Sequence, residues 1–173
     1  MKHDDKGFSL VEIIIVIAVI GILSGVGISM LGLVGSTQVK DCSKEIVAQL
    51  ESCRNCAFAY EESSFSLSCE SDGIYTTLSV KKKGVVTEEK KKAGQKSISV
   101  YYILDNGTEV KLNEGEVLTL SFNRASGSFN LPKLTIGGVV TEADKYCTRI
   151  VVKKDSNQRN LTLVPLTGKV KQE

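Results

Sequence analysis

The sequence contains very little histidine, tryptophan or proline. Its single histidine is His3, there is no tryptophan, and only two prolines occur among 173 residues. Hydrolases of the Ser-His-Asp and Cys-His types need a histidine base, so the sequence excludes them. With two prolines and dispersed glycines, the chain has no Pro-rich linker and no low-complexity tract. We therefore expect a folded protein that is not an enzyme and that uses no cofactor and no metal.

Charge is nearly balanced along the whole chain but is absent from one long stretch. Lys plus Arg exceed Asp plus Glu by 22 − 20 = 2, which argues against a surface generally coated for nucleic acid. No charged residue occurs between Ile13 and Val39, and residues 8–30 are almost continuously apolar. As a helix, these 23 residues would span roughly 35 Å, enough to cross a bilayer. A membrane segment is the prediction; a cleaved secretory signal is the alternative, but its apolar core would be shorter.

Glu12 is the unusual residue of this apolar stretch. An ionised carboxylate inside a bilayer costs on the order of 2–3 kcal/mol or more, which favours pairing with a positive charge. Its helical neighbours at spacings of three and four are Phe8, Ser9, Ile15 and Val16, and none is cationic. Cleavage of the chain before Phe8 would create an α-amino group that could pair with Glu12 of the same or a neighbouring subunit.

The run Lys6-Gly7-Phe8-Ser9-Leu10-Val11-Glu12, followed by an uncharged apolar stretch, resembles the class III signal sequence of type IV pilins and type II secretion pseudopilins. The resemblance implies that prepilin peptidase cuts between Gly7 and Phe8 and methylates Phe8. It also implies that Glu12 aids assembly with other pilin subunits on an inner-membrane assembly platform. The expected location is the membrane before assembly and a bacterial surface filament afterwards.

The resemblance also divides the chain. We expect a cytoplasmic leader at residues 1–7, a transmembrane and filament-core helix at 8–38, its amphipathic continuation at 39–60, and an extracytoplasmic β-rich head at 61–173. Many pilins carry a proline near mature position 22, where this chain has Ser29. Gly21, Gly25 and Gly27 are instead the expected positions of helix melting or of close helix packing.

The predicted fold is α+β, with a long N-terminal helix packed on antiparallel sheets as in pilins. Apolar residues recur at spacings of three and four after the uncharged stretch, which indicates an amphipathic helix with one buried stripe. The members of this stripe are Val39, Cys42, Ile46, Leu50, Cys53 and Ala57. Short β-branched or aromatic segments separated by turn signals predict eight strands. These strands are expected at 66–69, 74–80, 97–104, 109–112, 117–122, 134–136, 148–153 and 161–166.

One helix followed by about eight strands, with a Gly168-Lys169-Val170 ending, looks like the GspH/FimT family of minor pilins and pseudopilins. The resemblance implies a subunit at the filament tip that primes assembly. A major pilin is the competing assignment. The sequence leaves open which system the filament belongs to: an adhesive pilus, a secretion pseudopilus or a competence filament.

Five cysteines follow the apolar stretch, which places them in a compartment where disulfides persist. Cys56 and Cys69 are the favoured pair, because a bridge between them would close a short helix-to-strand loop. The alternative is that several cysteines are simply buried apolar residues. A four-thiolate zinc site of Cys53, Cys56, Cys69 and Cys147 is conceivable, but the sequence has only one CxxC motif.

The segment 81–96 contains seven lysines against two glutamates, a local net charge of 7 − 2 = +5. A solvated hairpin that protects an edge strand is the leading interpretation. The alternative is a DNA-contacting patch on a minor pilin of a DNA-uptake filament, with phosphate-driven and salt-dependent binding. The lysines of that candidate patch are Lys81, Lys82, Lys83, Lys90, Lys91 and Lys92.

Overall fold

A computed structural model describes the backbone of residues 10–173 and the side chains of residues 10–22 and 35–173. Within these residues it contains one helix and eleven strands. The helix α1 spans Leu10–Ala59. The strands are β1 Glu62–Glu70, β2 Gly73–Lys82, β3 Val85–Gln95, β4 Ser99–Leu104, β5 Glu109–Lys111, β6 Val117–Ser121, β7 Lys133–Ile136, β8 Val139–Glu142, β9 Cys147–Lys154, β10 Asn157–Val164 and β11 Lys169–Gln172.

The chain divides into two compact units, residues 1–35 and residues 36–173. The first contains the N-terminal part of α1. The second contains the remainder of α1 and all the described strands, which form two sheets with the orders β3-β2-β1-β6-β7-β8 and β11-β10-β9-β4-β5. Every described strand pair is antiparallel, and the pairs joined by short hairpin turns can only be so. The predicted α+β fold, a helix packed on antiparallel sheets, is confirmed.

The core of the second unit forms where α1 meets both sheets. All six residues of the predicted stripe, from Val39 to Ala57, are at most 4% exposed. They pack in one cluster with apolar residues of the six-stranded sheet, such as Phe65 and Leu118, and of the five-stranded sheet, such as Ile150. The helical spacing of three and four places these side chains on one face, and burial of that face holds helix and sheets together.

The eight predicted strands are all present, with shifted bounds, and three further strands were not predicted. These three are β3, β8 and β11, and each is the outermost strand of its sheet. Side chains of β3 and β8 are mostly exposed, so no apolar alternation marks them in the sequence. The lysine-rich segment 81–96 therefore forms the end of β2, a turn and an edge strand, which agrees with the hairpin interpretation.

Two hairpins of the six-stranded sheet have the same tight turn. Lys83 and Gly84 join β2 to β3 with φ of 50° and 78°, and Gly137 and Gly138 join β7 to β8 with φ of 57° and 83°. Two central residues with positive φ are typical of a type I′ turn, whose twist matches that of the flanking strands. Each turn therefore fixes the register of the outer strand that follows it.

Candidate functional site

The N-terminal part of α1 carries the candidate assembly residue. Glu12 lies in the first turn of the described helix and is exposed. Gly7 and Phe8, the expected cleavage and methylation positions, lie outside the described residues.

Large apolar side chains at the start of α1 are exposed in the chain by itself. They include Leu10, Ile13, Ile17, Val19 and Ile22. Contiguous apolar surface of this kind marks a site for contact with protein or lipid. Among the residues that the structure describes, no helical segment is both long and apolar enough to cross a bilayer. The expected span over residues 8–30 includes positions outside that set and stays a prediction.

The glycines expected to melt or pack lie within α1. Gly21, Gly25 and Gly27 are all helical in the structure. A methyl group added at Gly21 would meet no atom within 4 Å, so the glycine leaves an open position on the helix surface. Gly25 and Gly27 lie outside the residues with described side chains.

Comparison with protein families agrees with these N-terminal features. Residues 2–34 match the family model of the prokaryotic N-terminal methylation motif. The N-terminus is a class III signal peptide. The motif is typical of type IV pilins and pseudopilins, which are substrates of prepilin peptidase, and it indicates a structural subunit rather than an enzyme. The match covers 33 of the 173 residues, and no curated protein and no solved structure matches the chain.

The structure corrects the expected disulfide between Cys56 and Cys69. All five cysteines are free, and these two lie on different elements. Cys56 is near the C-terminal end of α1, whereas β1 begins at Glu62 and reaches Cys69 only near its far end. Ser63 Oγ donates a hydrogen bond to the Cys53 carbonyl oxygen, which places the start of β1 beside this end of the helix. Cys69 is six residues further along the strand than Ser63, about 20 Å at the usual rise of a strand. A disulfide needs Cα atoms less than about 7 Å apart, and the sequence-based argument overlooked the length of β1.

Burial disfavours the thiolate form of the cysteines. Burial raises the pKa of Cys42, Cys53 and Cys147 to about 12 in each case. Burial likewise raises the pKa of the half-buried Cys56 and Cys69. A reactive or metal-binding cysteine needs a stabilised thiolate, which is the form that these environments disfavour. Among the described residues, no group of three or more His, Cys, Asp and Glu side chains is placed to hold a metal ion.

The lysines of the candidate DNA patch lie along one edge of the six-stranded sheet, but acids accompany most of them. Lys90 Nζ lies 2.6 Å from Glu70 Oε1, and Lys92 Nζ lies 2.8 Å from Asp72 Oδ2. The remaining pairs are Lys81 with Glu62 at 3.4 Å and Lys91 with Glu89 at 2.8 Å. With Glu62, Glu70 and Asp72 included, the local net charge falls from +5 to 5 − 3 = +2. Attraction of phosphate by this edge is correspondingly weaker than the sequence count suggests.

Sequence reasoning also missed two aromatic residues beside these lysines. Tyr75 on β2 lies under Lys90 and Lys92, with their Nζ atoms 4.5 and 5.6 Å from the ring centroid. Tyr60 is 5.5 Å from Lys82 Nζ. The segment 81–96 contains no aromatic residue, and only the pairing of β2 with β3 brings Tyr75 to it. The period-two alternation of β2 could have indicated that Tyr75 shares its outer face with Thr77 and Ser79.

Proposed function

We propose that the protein is a structural subunit of a type IV pilus or pseudopilus, and specifically a minor subunit that acts at the filament tip. Prepilin peptidase cleaves it between Gly7 and Phe8 and methylates Phe8. The observation that carries the proposal is the match of residues 2–34 to the N-terminal methylation motif. The buried stripe of α1 on a β-rich head supports it, since the helix has a pilin-like division into an exposed apolar part and a packed part.

Glu12 acts as a positioning charge in this mechanism. Its carboxylate, in the first turn of the described helix, pairs with the α-amino group of Phe8 in a neighbouring subunit. In a medium of low dielectric constant, attraction between opposite charges is much stronger than in water. Formation of this pair therefore favours association of subunits in one register.

The exposed apolar surface of residues 10–22 supplies the remaining contacts. Before assembly this surface and residues 23–30 lie in the inner membrane, and after assembly the surface packs against other subunits in the filament core. Burial of apolar surface stabilises by about 25 cal/mol per Å² in water, whereas transfer from lipid to protein relies on close packing. Gly21, Gly25 and Gly27 permit that packing or permit local melting. An inner-membrane assembly platform is the partner that carries out the transfer.

The Gly168-Lys169-Val170 ending supports the assignment as a GspH/FimT-type minor subunit. Lys169 and Val170 begin β11, an edge strand paired with β10. Gly168 has φ of 63°, and a methyl group there would collide with the carbonyl oxygen of Gly127. A glycine is therefore required for the turn into β11, so this part of the ending has a structural reason.

DNA binding by the lysine edge is the alternative function. Tyr75 beside Lys90 and Lys92 would add an aromatic surface, which favours it. The ion pairs of Lys81, Lys90 and Lys92 with acids weaken it. We therefore rank assembly above DNA binding.

The experiment that tests the proposal compares Glu12→Ala with Glu51→Ala. Glu51 is an exposed acid on the same helix and serves as the matched control. We expect both variants to be cleaved, as shown by a mature mass that begins at methylated Phe8. Sheared filaments should contain the Glu51→Ala variant at the normal level and much less of the Glu12→Ala variant.

Two results would contradict the proposal. A mature chain that still begins at Met1, or is cut elsewhere than before Phe8, would exclude processing as a pilin. Equal incorporation of the two variants would leave processing intact and remove the role of Glu12 in assembly.

A further inference from the structure

The six-stranded sheet consists of two similar halves. β1, β2 and β3 form one antiparallel meander, and β6, β7 and β8 form another. The two meet where β1 pairs with β6 in antiparallel register. This order gives the sheet an approximate local twofold axis between β1 and β6, and β3 and β8 are its equivalent outer strands.

The two outer strands begin with the same sequence. Gly-Val-Val-Thr-Glu occurs at residues 84–88 and again at residues 138–142. In both copies the glycine completes the two-residue turn and the first valine begins the strand. Val86 lies opposite Lys81, and Val140 lies opposite Thr135, so both second valines are on the outer face of the sheet. Both copies of the repeat therefore place their second valine on the same face of the sheet.

The valines of the repeat are exposed on the surface of the chain. The exposed fractions are 65% for Val85, 56% for Val86, 68% for Val139 and 61% for Val140. In a two-residue hairpin the residues that flank the turn exchange both hydrogen bonds, so the next residue along the strand directs its amide and carbonyl outward. Val86 and Val140 thus offer backbone groups for a further strand.

We propose that β3 of one copy pairs in antiparallel fashion with β8 of a second copy through these repeats. Val86 then lies opposite Val140 of the second copy. Val85 lies opposite Thr141, and Thr87 lies opposite Val139. Within each sheet β3 and β8 are antiparallel, so stacking copies edge to edge in the same orientation continues the antiparallel alternation.

Apolar burial selects this register over one that uses the lysines. Removal of apolar surface from water is favourable, whereas an exposed ion pair contributes little because water and salt screen it. Pairing through Lys90 and Lys92 would also disrupt their bonds to Glu70 and Asp72 and would leave Val85 and Val86 exposed. The lysines confine pairing to the start of β3, since charges on an edge strand oppose extension of the sheet.

Charge favours a contact between β3 and β8 over a contact between two β3 strands or between two β8 strands. With the paired acids Glu62, Glu70 and Asp72 included, the lysine edge has a net charge of +2, and residues 137–146 carry Glu142 and Asp144 against Lys145, or 1 − 2 = −1. Two β3 edges therefore repel each other and two β8 edges repel weakly, whereas a β3 edge and a β8 edge attract. A contact between different surfaces does not close on itself, so it can join copies of this chain in a row.

The contact rests on the proposed function and on the presence of more than one copy of this subunit in the filament, because a pair of such short strands buries much less than the roughly 1,200 Å² of a stable interface. It forms where the N-terminal helices already hold neighbours close, which raises the effective concentration of the edges. It then links the heads of adjacent subunits.

Disulfide trapping in the full chain tests the inference. Val86→Cys and Val140→Cys chains with different tags are expressed in the same cells and oxidised in the cell envelope. Opposed residues in this register bring Cα atoms about 5.5 Å apart, within reach of a disulfide. We expect a mixed dimer of the two tags. The matched control is Ser156→Cys, an exposed position in the turn between β9 and β10, and wild type reports the native thiols.

Each outcome decides the inference. A mixed dimer of Val86→Cys and Val140→Cys above the level of both controls supports it. The neighbouring opposed pair, Val85→Cys with Thr141→Cys, should also give a mixed dimer. That second dimer should be lost when Val140→Lys is added to the Thr141→Cys chain. Dimers of Val86→Cys alone or of Val140→Cys alone would show an identical-edge contact instead, and no dimer would exclude edge pairing. The mature N-terminal mass of the same samples reports processing separately, so failure of the edge contact and failure of the proposed function are distinguished.

Discussion

Two stretches of α1 are rich in apolar side chains and differ completely in exposure. Between residues 10 and 22 the large apolar side chains are exposed, whereas the stripe from Val39 to Ala57 is almost fully buried. The stripe has sheets of its own chain to cover it, and charged residues occupy the other faces of the helix there. The first stretch has apolar residues on all faces, which no single neighbouring sheet could cover.

The difference shows which part of the helix maintains the fold and which part mediates contacts with other molecules. Residues that pack within the second unit contribute to its free energy of unfolding. Residues 10–22 contribute little to that quantity, and their apolar surface is available for lipid or other subunits. Substitutions in the two stretches should therefore separate stability from assembly.

The largest expected effect comes from the buried stripe. Leu50 is 0% exposed, so Leu50→Ala should lower the free energy of unfolding by about 2–5 kcal/mol through lost burial and a cavity. Ile14→Ala is the matched control, because Ile14 is exposed and its replacement should change that free energy by less than about 0.5 kcal/mol. Denaturant unfolding of the detergent-solubilised chain measures both. Equal losses would show that residues 10–22 are part of the same core.

A second, smaller effect is expected from the buried thiols at high pH. The pKa of Cys42, Cys53 and Cys147 is about 12 in the folded protein, above the ordinary value of 9.0. Below pH 9 these thiols are protonated in both the folded and the unfolded chain, so their ionisation does not reduce the free energy of unfolding there. As the pH rises from 9 towards 12 the unfolded chain releases protons first, and stability falls.

Unfolding midpoints measured between pH 7 and pH 11 should show this decrease. Tyrosines and lysines also titrate in this range, so the Cys147→Ala variant provides the control. Its midpoint should fall less steeply above pH 9 than that of the unchanged chain. The same slope in both would show that the Cys147 thiol makes no contribution.

The smallest effect is expected at the lysine edge. Lys90→Ala removes an exposed ion pair with Glu70, and such pairs contribute little because water and salt screen them. We expect a small shift of the unfolding midpoint, or none, and less difference still at high salt. A large loss at low salt that disappears at high salt would show that the charges of this edge form a cooperative network.

Interior elements were predictable from the sequence, whereas three of the four edge strands, β3, β8 and β11, were not. The stripe of α1 and strands such as β1, β6 and β9 show apolar periodicity because one face of each is buried. β3 and β8 are exposed on both faces, so they lack that periodicity. The repeated Gly-Val-Val-Thr-Glu was the available signal, since two equal segments after turn residues suggest equivalent positions in a sheet.

The candidate site was predictable to the same extent. Gly7, Phe8 and Glu12 belong to a contiguous motif, which a linear sequence displays in full. The acids that neutralise Lys81, Lys90 and Lys92 are distant in sequence, and strand pairing or hairpin turns bring them together. The predicted disulfide between Cys56 and Cys69 was wrong for the same reason. The two residues are close in sequence, but the length of β1 separates them in space.

The sequence by itself determined the signal peptide, the long helix, its buried stripe and most of the interior strands. These follow from residues that are contiguous or that recur at the period of one element. The tertiary structure alone decided which strands lie at the edges, which lysines face acids and which cysteines remain apart. Those features depend on contacts between distant segments, and such contacts are fixed only when the helix and both sheets pack around one core.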